Sequence, residues 1–461
     1  MKREHIQHLY WRIGFGILPS RLNKLLGKSK SEVVDELFQS SKNISPLEID
    51  TSEINAVFSE IMGQKLDSQT RMKVQKISRK KQIELNEAWI NRLSSSKEIL
   101  REKMTLFWAN HFVCEDNFIN YIAQFNNTLR RYALGDFRNF VIAISKEAAM
   151  TKYLNTKQNR KQSPNENFAR ELMELFTLGE GHYTETDIKE SARAFTGYSH
   201  NLKGEFVFRK WAHDYGDKTF FGETGNFYGE DIIDIILKRR HCAKYICSKI
   251  YKYFVNDIIN EVHLNELTEV FYKDYNIEHL MRYMVLTDWF YDTTNMGNKI
   301  KSPIEFLVGI KTLVPTNFTK KKQLLYIQRL LGQTLLDPPN VAGWKGGKNW
   351  IDSNTIVLRL KLPSLLLNGA YISKTKKGMV YEEMTMQKEI FKKKFGKRFS
   401  TEVDWSYFFK QFKSVDIKIL EQYILACPIS EHARQYLGSL EKVSKQEYCI
   451  QLMSLPEYQM C

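Results

Sequence analysis

Apolar residues recur at three- and four-residue spacing almost throughout the chain, while alternating runs of β-branched residues are nearly absent. Side chains three or four apart share one helix face, so the pattern predicts an all-α architecture, a large multi-helix domain. With a mean helix of ~11–12 residues, the length implies about fifteen to twenty helices. Helix starts are marked by capping boxes, in which a hydroxyl and a carboxylate three residues apart satisfy each other's free backbone N–H groups. "SKSEVVDELF" carries one at Ser29 and Glu32, and "SSKEILREKMTLFWANHF" repeats the device at Ser95 and Glu98. In the second segment Leu100, Met104, Phe107 and His111 share one stripe, which turns His111 toward the core.

Two stretches break the helical period. Residues 213–229, "HDYGDKTFFGETGNFYG", hold four Gly, and residues 335–350, "LLDPPNVAGWKGGKNW", hold two Pro and three Gly. Both read as long glycine-rich loops, and loops of this length inside a domain tend to carry function. The Lys-rich "SKTKKGMVYEE" (373–383) is the best linker, separating a helical main domain, 1–372, from a C-terminal helical extension, 373–461, packed on it.

Composition narrows the class. Hydrophobic residues make up 43% of 461 positions and aromatics 13%, which excludes a disordered chain. Lys and Arg number 68 against 53 Asp and Glu, a net +15 that suits an anionic partner or substrate but is thinly spread. Its densest run, "RMKVQKISRKK" (71–81), has six basic residues and no acid, and reads as a solvated helix face. No aromatic and basic interleaving of a known module is present, which argues against nucleic acid. Six cysteines lie without a CxxC pair, so reduced, mostly buried thiols are expected. With no apolar run long enough for a signal core or a membrane span, the chain reads as soluble and cytoplasmic.

The stretch richest in chemistry is "SPNENFARELMELFTLGEGHYTETDI" (163–188). Ser163 is placed as N-cap, with Pro164 at the first helical position and Glu166 closing a capping box. At 100° per residue Phe168, Ala169, Leu172, Met173, Leu175 and Phe176 fall on one side, and Glu166, Asn167, Arg170, Glu171 and Glu174 on the other. Glu166, Arg170 and Glu174 then form an i, i+4, i+8 ladder. Thr184 and Asp187 make a further capping box, and Gly197 is a plausible stop for the helix that follows. His182 lies in the glycine turn between these two helices, a loop histidine of the kind that is usually structural.

HExxH, GxSxG, GxGxxG and Walker motifs are missing. What remains is a scatter: His111 beside Asn110, the Glu166–Glu174 segment, and His213 next to Asp214 in a glycine-rich loop. Such a set can bind a divalent metal or run acid/base chemistry only where folding makes it converge. Trp344 and Trp350, with Asn340 and Asn349, offer platforms for a flat ligand, although indoles plugging the core beneath the loop is the simpler account.

"REKMTLFWANHF", "NENFARELMELFTLGEGHYTETDIKESARAFTGY", "HDYGDKTFFGETGNFYGEDIIDIIL", "KSPIEF", "DPPNVAGWKGGKNWI" and "SLPEYQM" occur in this order. Together they closely resemble the bacterial proteins of domain-of-unknown-function family 1800, from "HLYWRIGFG" to the C-terminus. The resemblance implies a mostly helical domain and a neighbour often drawn from family 1501, which is similar to the alkaline phosphatase and sulfatase superfamily. It implies no reaction. The family's polar positions fall on Asn110, His111, Asn165, Glu166, Asn167, Arg170, Glu171, Glu174, His213, Asp214, Asn340, Trp344 and Arg359. One departure is visible: Phe176 stands before "TLG", where many relatives are expected to carry His, so a metal site needing that His would lack it here.

Polar motifs drawn from separated segments suit a mutually hydrogen-bonded pocket lining. Two functions follow as expectations. One is a hydrolase or transferase whose catalytic set is Glu166, Arg170, Glu171, His213 and Asp214, with Glu166 or Glu171 as base and Arg170 holding an anionic group. The other is a non-catalytic binding or maturation partner of a phosphatase- or sulfatase-like protein. No cofactor is specified beyond a divalent metal as an option.

Overall fold

The computed structural model describes residues 1–60, 67–368, 399–440 and 443–461. The proposed linker at 373–383 and the boundary after residue 372 lie outside the described residues. The all-α expectation holds: 22 α-helices occur among the described residues, with three short two-stranded pairs. The count exceeds fifteen to twenty because many helices are brief, Ala148–Tyr153 with six residues and Glu421–Ile424 with four.

Local capping chemistry sets most of the starts. Ser29 and Glu32 form the reciprocal box, as do Thr184 and Asp187, and Ser302 and Glu305. The Ser95–Glu98 box does not form. Ser95 instead closes the long helix Ser68–Ser95, and Ser96 accepts from the Glu98 backbone N–H before the next helix begins at Ile99. Propensity carries the first helix past the hydroxyl that was to start the second.

The Ile99–His111 helix runs through the middle of the molecule, buried from Leu100 to Trp108 and again at His111. Trp108 stacks on Phe112 and meets Phe137 and Phe140, and Phe112 packs against Phe176. Each fully buried side chain of this kind contributes roughly 1.5–3 kcal/mol, so apolar contact outweighs any single polar bond in holding this helix. Around it pack Lys30–Ser40, Ser68–Ser95 and Ile119–Tyr132.

The strand pairs act as clips. Tyr198–His200 pairs antiparallel with Phe206–Phe208, and Lys218–Phe220 with Glu223–Gly225, the latter inside the first glycine-rich loop. Thr316–Phe318 pairs with Thr401–Val403, and Ser353–Leu367 packs against Lys445–Met453, which ties residues 399–440 and 443–461 to the rest. Among the described residues no helix is long and apolar enough to cross a membrane. All six cysteines are free, and all but the half-buried Cys427 are buried.

Candidate functional site

The Asn-Glu-Asn segment does not begin a helix at Pro164. Asn159 donates its side-chain amide to the Ala192 carbonyl (2.7 Å) and accepts from the Asn165 N–H (2.9 Å), which pins the chain before it can coil. Ser163 donates its N–H to the Arg160 carbonyl in a turn, Asn165 accepts from the Asn167 N–H, and the helix runs Asn167–Glu171. The capping box of Ser163 and Glu166 is therefore replaced by an Asn-centred turn. Phe168, Ala169, Leu172, Met173 and Phe176 are buried, as the apolar stripe requires, and Leu175 is half-buried.

Past Glu171 the coil widens into a π-helix, Leu172–Thr177, and the wider turn shifts register. Glu174 leaves the row of Glu166 and Arg170 and accepts from the Tyr183 hydroxyl at 2.6 Å. Arg170 places both terminal nitrogens on Glu185, each at 3.0 Å, and reaches Glu166 at 3.4 Å. Its side chain is 37% exposed, so the three-residue ladder becomes a surface pair with a new partner. Glu171 differs: it is half-buried with no hydrogen bond or ion pair among the described residues. Burial, then the like charge of Glu174, raises its pKa against the pull of Arg170.

The helix Glu185–Ala194 collects the other side chains of this face. Its Arg193 donates to Asp214 at 2.7 and 3.3 Å, to Glu190, and to the Asp217 carbonyl. Burial pushes the Asp214 carboxyl up, but Arg193, the Gly216 N–H and the charge of Lys218 together hold the group below the usual carboxylate range. His213 is fully buried, donates from Nδ1 to the Thr196 carbonyl (2.9 Å) and stacks on Tyr228 with ring centres 4.6 Å apart. Its Nε2 has no partner among the described residues. Burial lowers its pKa, which keeps the ring neutral.

Asn110, His111, Asn340 and Trp344 form a second group. Asn110 brackets Trp344, donating to its carbonyl (3.1 Å) and accepting from its N–H (2.7 Å). Gly343 must be glycine: its φ is +74°, and a Cβ there would sit 2.3 Å from the Asn110 side-chain oxygen. Asn340 is exposed and caps its own turn at Ala342. Trp350 is buried and Trp344 half-buried, in line with indoles that plug the loop. His111 donates to the Phe176 carbonyl at 3.0 Å, and burial, then Lys249, pushes its pKa down to about 3.

That last bond joins the two groups, since Phe176 lies in the π-turn. Arg359 lies apart from both. It is fully buried, donates to Gln459 (2.8 Å) and to the Lys301 carbonyl (2.7 Å), and covers the Phe306 ring. The folded chain therefore braces most of the motif residues against one another, leaves the Glu171 side chain without a hydrogen bond among the described residues and Asn340 in its own turn, and places Arg359 elsewhere. A cleft of about 460 Å³, lined by Tyr10, Phe15, Arg21, Ser95, Thr312 and Tyr407 among others, contains none of them. No group of three or more His, Cys, Asp and Glu that could hold a metal ion occurs among the described residues.

Charged residues outside these motifs are also deeply buried. Arg130 donates to Glu102 at 2.6 and 3.2 Å, each side chain 1% exposed, and Lys103 pairs with Glu305. The signal was in "LREKMTLFW": three charges in succession within a helix apolar on every side have no water-facing side to occupy.

The family model described as protein of unknown function, DUF1800, matches residues 8–460, nearly the whole chain, and the chain belongs to that family. No curated protein and no solved structure matches it.

Proposed function

We propose that this family member is a non-catalytic binding or maturation partner of a phosphatase- or sulfatase-like protein. What supports the reading is how the motif side chains are engaged. Arg170 is committed to Glu185, Glu174 to Tyr183, Asp214 to Arg193, Asn110 to the Trp344 backbone and His111 to the Phe176 carbonyl. Side chains held in this way brace segments against one another, which is the work of a scaffold that presents a surface. A general base or an anion clamp needs free lone pairs or N–H groups turned toward a substrate.

Glu171 favours the second reading, a hydrolase or transferase acting on an anionic substrate. It is the half-buried carboxylate of the motif with a raised pKa and no partner among the described residues, the condition of a general acid or base. Co-expression of the tagged chain with a family 1501 protein encoded beside it separates the two. The partner reading expects one complex on size-exclusion chromatography, unchanged by Glu171→Gln. Separate elution, together with phosphomonoester or aryl sulfate hydrolysis by the isolated chain that Glu171→Gln abolishes, would overturn it.

A further inference from the structure

One surface of the molecule combines partly exposed aromatic side chains with cations that have no carboxylate partner among the described residues. The end of the hairpin strand Phe206–Phe208 runs straight into "RKWAHDY", residues 209–215. Gly197, at φ +86°, lets that segment lie against the preceding turn: Arg209 donates to the Gly197 carbonyl at 2.8 Å, and a Cβ on Gly197 would sit 2.7 Å from the Arg209 oxygen. The loop before the Asn-Glu-Asn segment joins from the other side, with the Lys161 N–H on the Ala212 carbonyl at 2.8 Å and the Arg160 guanidinium 5.5 Å from the Trp211 ring centre. Trp211 is 60% exposed and Tyr215 47%, and Tyr228 stands beside them, 6.5 Å from Tyr215 between ring centres.

The charges there do not cancel. Arg160, Lys161, Arg209 and Lys210 have no carboxylate partner among the described residues. Lys157, which donates to His200 at 3.3 Å, has its pKa lowered by burial and then by Arg209 and Lys152. Of the two carboxylates in 206–217, Asp214 is held by Arg193 and Asp217 is exposed. An exposed indole forgoes burial and like charges repel, so the arrangement gains most from a partner that covers the ring and brings carboxylates. Trp, Tyr and Arg are also the side chains that dominate binding energy in protein interfaces.

We propose that this surface docks an acidic, aromatic-bearing segment of a protein partner, which deepens and rests on the partner reading above. Single-stranded nucleic acid, the rival polyanion, needs a succession of open ring faces. Here Arg160 lies over Trp211, and His213 covers Tyr228 at an interplanar angle of 13°. Carboxylates set between side chains of a peptide fit the geometry better.

The test is calorimetric titration of the full chain with a synthetic peptide alternating Glu and Tyr, and separately with oligo-dT of equal charge. The peptide should bind in a salt-sensitive manner, the double variant Lys210→Glu/Trp211→Ala should bind it about tenfold more weakly or worse, and oligo-dT should bind less tightly than the peptide. Lys210→Glu alone, at an exposed side chain, serves if the double variant loses its circular dichroism signal. Absence of peptide binding, equal binding by the variants, or tighter binding of oligo-dT overturns the proposal. The two readings fail separately. A neighbour-encoded protein that co-elutes equally with wild type and variant removes this surface and keeps the partner. Patch-dependent peptide binding without co-elution does the reverse.

Discussion

Two arginine–carboxylate pairs sit in this molecule in opposite settings. Arg170 meets Glu185 and Glu166 at the surface, side chains 37%, 67% and 35% exposed, where water and salt screen the attraction. Arg130 meets Glu102 in the interior, both 1% exposed, and its third nitrogen is taken by Asn126 (3.0 Å) and Asn127 (2.8 Å). Arg101 donates to the Arg130 carbonyl beside it. The hydrogen-bond geometry is similar in the two places, but removing one partner leaves a hydrated carboxylate in the first and a stranded buried ion in the second. Environment, more than contact distance, sets what a pair contributes.

The comparison is sharpest at its buried end. Arg130→Ala should lower stability by roughly 3–5 kcal/mol, because Glu102 would lose its bidentate partner in a dry site. Urea unfolding of the purified variant measures it, and a loss as small as that at Arg170 would erase the distinction. A neutral brace should fall between. Asn110→Ala removes both bonds to the Trp344 backbone and should cost roughly 1–3 kcal/mol, the penalty for unsatisfied polar groups that are partly shielded from water. Hydrogen exchange should quicken at the Trp344 amide well before global unfolding. The smallest effect belongs to Arg170→Ala. Its melting temperature should stay within a degree or two of wild type, since exposed ion pairs contribute little. A steep drop there would mean that Glu166 and Glu185 depend on Arg170 far more than their exposure allows.

Helical class, the caps at Ser29 and Thr184 and the buried side of residues 168–176 were legible in the sequence. Each depends on spacings of two to four residues, and the backbone imposes those spacings wherever the segment ends up. The partners of the charges were not legible. Glu102 and Arg130 are 28 positions apart, Asn110 and Trp344 are 234, and no local periodicity encodes which face will be shut off from water. Register was lost in the same way where Asn159 seized Ala192 and the coil widened at Leu172, so Arg170 turned to Glu185 instead of completing its ladder. Local pattern dictates the elements because they answer to backbone sterics and hydrogen bonds within a turn. The worth of each polar side chain answers to desolvation, which exists only once distant segments have closed around it.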